Sequence, residues 1–128
     1  MPDRFDIEIE PEVRAWLDGL PLEQYAKAEA AADFLAERAE TLGEPYSRHL
    51  DGKARELRFH LHRRDVRVSY WLAPGRRVVL LTVFAKTRQR EQAEVKRAVA
   101  AQRACEAGHA AGHPDHGTAG NIYERKWD

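Results

Sequence analysis

At 128 residues, with 43% apolar and 33% charged side chains, the chain is long enough for one folded domain and too apolar to be disordered throughout. Its single cysteine excludes an intrachain disulfide, no apolar run approaches the roughly 18 residues of a membrane span, and Met1-Pro2-Asp3-Arg4 lacks the apolar core of a signal peptide, so a cytoplasmic protein without membrane contact is expected. The formal net charge of zero conceals a segregation: residues 1–43 carry 11 acids against 4 bases, residues 44–103 carry 6 against 15, and residues 104–128 carry 4 against 2.

Phe5-Asp6-Ile7-Glu8-Ile9 alternates and predicts a first strand. Pro11 suits the first turn of a short helix through Val13, Trp16, Leu17 and Leu20, which Gly19 to Pro21 ends. A longer helix is predicted over 22–42. Tyr25, Ala28, Ala32, Leu35, Ala39 and Leu42 form its buried stripe, and Gly43 and Pro45 close it. Residues 44–53 read as a loop. Three strands follow at about 54–62, 65–73 and 77–85. Arg63-Arg64-Asp65 marks the first turn and Pro74-Gly75 the second, so these strands are antiparallel neighbours. Val78 to Phe84 is apolar on both faces and should lie centrally. A final helix covers about 88–106, with a modest stripe of Ala93, Val95, Ala98, Val99 and Gln102 and a basic one of Arg90, Lys96, Arg97 and Arg103.

Residues 1–107 then form one domain and 108–128 a flexible tail rich in glycine. His109, His113 and His116 have a spacing that would align on a helix, but the glycines and Pro114 argue against one, and no metal site or cofactor is expected. Cys105 reads as a passive thiol. The order β-α-α-β-β-β-α, with a small, mostly antiparallel sheet, is an α+β architecture.

Period-two alternation places Glu56, Arg58, His60 and His62 on one face of a strand and Leu57, Phe59 and Leu61 on the other. The sheet therefore presents cations and imidazoles on one surface, with further cations after its most apolar strand. Such a surface suits a polyanion. The competing readings are an Arg58–Glu56 ion pair on one face, an exposed strand histidine at His60, and solvated strand edges for Arg67 and Lys86. Tyr70, three positions after Arg67, faces the opposite side and is expected in the core.

These elements resemble the RelE/ParE superfamily of type II toxins, and within it the HigB-like, phage-derived branch. The residues that carry the likeness are Leu50-Asp51-Gly52-Lys53, Glu56-Leu57-Arg58-Phe59, Arg67-Val68-Ser69-Tyr70-Trp71 and Val79 to Thr87, with the helix that follows. The likeness spans roughly residues 5–104. It implies a RelE-like, microbial-ribonuclease-type fold, and a metal-independent mRNA endoribonuclease that acts at the ribosome and inhibits translation. It also implies a cognate helix-turn-helix antitoxin. Cleavage of this type sends the 2′-hydroxyl onto the adjacent phosphate, which calls for a base, an acid and cations around the developing charge. The resemblance implies Arg58, Arg67 and Lys86 as catalytic cations. His60, on the same face as Arg58, is the candidate acid or base, and Lys53, Arg88, Arg90 and His49 are the candidates for RNA binding around them. Some relatives use a tyrosine or histidine on the last helix, and residues 88–106 contain neither. A ParE-like gyrase inhibitor without catalysis, and a degenerate toxin that only binds antitoxin, are the alternatives.

Overall fold

A computed structural model of the chain describes residues 4–85, 91–110 and 120–121. The element order is β1 (Asp6–Ile9), α1 (Pro11–Asp18), α2 (Leu22–Glu37), β2 (Ser47–Asp51), β3 (Ala54–Leu61), β4 (Arg64–Ala73), β5 (Arg77–Ala85), α3 (Glu91–Ala110) and β6 (Gly120–Asn121). The α+β class and the expected succession of elements are present, with two strands added. The segment read as a loop contains β2, and two residues of the segment read as a tail form β6.

The sheet order is β2-β3-β4-β5-β1-β6. Strands β2 to β5 form an antiparallel meander. Strand β1 runs parallel to β5, with Asp6 opposite Arg77 and Ile9 opposite Leu80. The doubly apolar β5 thus lies between β4 and β1, where both faces are covered. Gly52 (φ +56°) and Gly75 (φ +83°) take left-handed positions in the turns before β3 and β5. The β3–β4 turn differs from its expected place. His62, a non-glycine residue at φ 59°, takes the left-handed position, so Arg64 and Asp65 belong to β4.

Alternation sorts the side chains into two cores. Leu57 and Leu61 of β3, Val66, Val68 and Tyr70 of β4, and Val78 and Leu80 of β5 pack with Val13 and Leu17 of α1 and Tyr25, Ala28, Ala32 and Leu35 of α2. The alanines of α2 keep that helix near the sheet. Helix α2 ends at Glu37, earlier than its stripe suggests, yet Ala39 and Leu42 stay buried in the turn that follows. On the opposite face, Trp71, Ala73, Val79 and Leu81 form a smaller core under α3 with Ala101 and Cys105. Along β4 this second face changes from Trp71 and Ala73 to Ser69 and Arg67. Apolar packing therefore holds α3 at one end and leaves a polar region at the other. Among the described residues, no helix is long and apolar enough to cross a membrane.

Candidate nucleic-acid interface

The polar end of the second face is built from β2, β3, β4 and the first residue of α3. Register places Arg58 directly opposite Arg67 and His60 opposite Asp65, while Glu56 pairs with Arg48 on its other side. Two guanidiniums facing each other across a ladder repel. Glu56, two residues from Arg58 on the same face, compensates. Its Oε2 lies 3.3 Å from Arg67 Nη1 and 3.6 Å from Arg58 Nε. Burial pushes the Glu56 carboxyl above its ordinary range, against the pull of Arg67, Arg48 and Arg58. The Glu56 side chain is 1% exposed and that of Arg67 5%. This pair is therefore a buried ion pair that fixes the Arg67 guanidinium in place. A second carboxylate reaches Arg67 from α3: Glu91 Oε1 is 3.2 Å from Arg67 Nη1 and 3.9 Å from Arg48 Nη2.

At the outer end of the ladder, His60 Nδ1 is 2.7 Å from Asp65 Oδ1, with the histidine side chain 81% exposed. When Nδ1 donates to Asp65, the neutral ring presents Nε2 as an acceptor toward solvent. A cleft of about 450 Å³ runs along this rim, lined by Pro45, Tyr46, Arg58, Phe59, His60, Asp65, Val66 and Arg67. Tyr46 is half exposed and sits edge-on to Phe34 at 5.1 Å between ring centroids. Its carbonyl accepts from the Arg58 N–H at 2.8 Å, which ties the cleft wall to β3.

Arg58 and His60 share one face of β3, as the alternation predicted, and the register sets Arg67 of β4 opposite Arg58. It places two other expected residues elsewhere. His49 pairs in register with Arg55, on the face away from Arg58, and its Nε2 lies 2.9 Å from the Gly52 carbonyl. Lys53 pairs with Glu106 near the far end of α3, about 22 Å along the helix from Glu91 at 1.5 Å per residue, and its Nζ stands 6.0 Å over the Trp71 ring. Lys86, Arg88 and Arg90 lie outside the described residues, as do the side chains of His109, His113 and His116. Sequence reasoning missed Arg48, Tyr46, Asp65 and Glu91. Arg48 was hidden because a five-residue strand sits between the turn signals Pro45 and Gly52. Asp65 was read as the start of a strand, but its pairing with His60 depends on the cross-strand register.

The profile of the family described as "Phage derived protein Gp49-like" matches residues 15–106. The chain belongs to the phage-derived Gp49-like family. This is a family of the RelE/HigB toxin type. The matched region of this Gp49-like chain runs from α1 to α3 and contains every cleft residue named above. Among solved structures, an arginine-to-alanine double mutant of the E. coli toxin RelE in the free state is similar. It shares 16% identity over 76% of this chain and 96% of its own, with a TM-score of 0.48. No curated protein matches the Gp49-like chain.

Proposed function

We propose that this chain is the toxin of a type II toxin–antitoxin system and acts as a metal-independent mRNA endoribonuclease at the ribosome, inhibiting translation. One observation carries the reading. A carboxylate-oriented histidine, His60, stands on the same rim as two guanidiniums from adjacent strands, Arg58 and Arg67. In this reaction the 2′-oxygen bonds to phosphorus and the P–O5′ bond breaks, leaving a 2′,3′-cyclic phosphate and a 5′-hydroxyl. His60 Nε2 takes the 2′-hydroxyl proton, and the leaving oxygen takes one from water or the ribosome. Arg58 faces the charge that develops on the phosphoryl oxygens, and Arg67 sets the positive potential beneath it. Tyr46 offers a ring for base stacking at the cleft wall. Lys86, Arg88 and Arg90, carried over by resemblance, complete the proposed cationic ring. The proposed partner is a cognate helix-turn-helix antitoxin whose acidic or apolar surface covers the cleft.

The test is induction in cells with mapping of transcript 5′ ends, repeated with His60→Ala and Arg58→Ala. The wild type should create new ends, and His60→Ala should reduce them by about 100-fold or more. Its side chain is exposed enough that folding should be unaffected. Growth arrest with no new transcript ends would sink the nuclease. Arrest accompanied by loss of DNA supercoiling would favour the gyrase-inhibitor reading instead.

A further inference from the structure

Three guanidiniums, from Arg48, Arg58 and Arg67, meet two carboxylates, from Glu56 and Glu91. The two acids are not equivalent. Glu56 is buried in the sheet and already compensates Arg67 from β3. Glu91 is 49% exposed, approaches from the first residue of α3, and bridges Arg67 on β4 to Arg48 on the edge strand β2. We infer that Arg48 and Arg67 form a phosphate seat that the Glu91 carboxylate fills in the free protein, and that an RNA phosphate binds there by displacing it. The identification of the anion as RNA rests on the proposed function; the seat itself rests on the geometry.

The chemistry favours exchange. A carboxylate and a phosphate present oxygen pairs of similar spacing to a guanidinium, and the phosphate adds further acceptors for the second arginine. The Glu91–Arg48 pair is half exposed on both sides and contributes little, and Arg67, itself buried, keeps Glu56 as its partner when Glu91 leaves. The start of α3 favours Glu91 where it stands, which opposes release without locking it. Release also leaves α3 docked. Ala101 and Cys105 remain against Trp71 and Leu81, and Glu106 remains paired with Lys53 at the other end. Displacement therefore needs only a side-chain rotation. It would bring Arg48, absent from the sequence-derived site, into contact with the substrate.

Binding of two probes by purified protein at low salt tests the seat: inorganic pyrophosphate by titration calorimetry, and a fluorescent single-stranded RNA oligonucleotide by anisotropy. Glu91→Gln should tighten both by roughly five- to tenfold. Adding Arg48→Ala to Glu91→Gln should abolish that gain. Should Glu91→Gln fold poorly, Glu91→Asp keeps the charge at the helix start but shortens its reach, and should tighten both probes to a smaller degree. Arg48→Ala alone should weaken pyrophosphate binding. Unchanged or weaker pyrophosphate binding in the Glu91 variants overturns the seat, whatever RNA does. Tighter pyrophosphate binding with no RNA binding by any variant keeps the seat and removes the RNA reading.

Discussion

Arg67 illustrates how a residue proposed for catalysis can be a structural necessity. Its guanidinium compensates Glu56, whose side chain is 1% exposed. Truncating it leaves a buried carboxylate without its nearest cation. Arg67→Ala should therefore lose about 3–5 kcal/mol of stability in urea unfolding, while Arg58→Ala should lose far less. A loss below about 1 kcal/mol for Arg67→Ala would contradict the buried pair. For this reason His60 and Arg58 are the cleaner probes of chemistry. The shared face of Glu56, Arg58 and His60 was legible because strand alternation needs only local sequence. Their partners were less so. Asp65 stood at the start of a predicted strand, but its contact with His60 is set by the register between β3 and β4. Glu91 reaches the cleft only through the tertiary placement of α3, which no local pattern encodes.

At the scale of elements, the junction of β1, α1 and α3 holds an unusual acid. Glu10 is buried, its Oε2 has no hydrogen-bond partner among the described residues, and the Trp71 indole N–H nearby has none either. Burial is the main cause that raises its pKa from 4.5 to about 7, and Glu8, itself held by Arg77 at 3.1 Å, adds to the rise. Burial also raises the neighbouring Cys105 thiol to about 11, so it stays protonated. The folded state keeps the Glu10 proton between pH 4.5 and 7 while the unfolded chain releases it. Stability is therefore greatest below that window and falls as pH rises through it. The expected fall between pH 5 and pH 8 is on the order of 1–3 kcal/mol, with Glu56 adding in the same sense. Urea midpoints across pH should show this slope, and Glu10→Gln should flatten it; a wild type insensitive to pH over that range would refute the assignment. The elements themselves were largely legible. All six residues of the predicted α2 stripe are buried. In α2 only the helix end at Glu37 escaped, because Ala39 and Leu42 stay in the core from a turn rather than a helix; β2 and β6 escaped altogether.

For the whole molecule, the charge segregation read from the sequence resolves in two ways. Part of it ties elements together: Arg77 pairs with Glu8 across neighbouring strands, Arg97 of α3 with Glu12 of α1, and Arg76 with Glu40. Another part meets at the cleft, where Glu56, Glu91 and Asp65 stand among Arg48, Arg58 and Arg67, so the acids there match the guanidiniums in number. Domain limits were harder to read, because Gly120 and Asn121 pair with Ile9 and Glu8 across the β1 edge. Two ladder positions contribute about 1–2 kcal/mol at most. Truncation after Ala110 should thus shift the urea transition by no more than that, and loss of folding would place the tail within the domain. The parallel ladder between β1 and β5 bears on how the protein is made. Its opening strand leaves the ribosome long before Arg77 to Ala85, the segment that must shelter it. Until that segment emerges, Ile7 and Ile9 lack the strand they pair with, and the larger core cannot close. A growing chain therefore cannot complete the ladder of β1 until Ala85 has emerged, and the cleft rim matures only with the rest of the body.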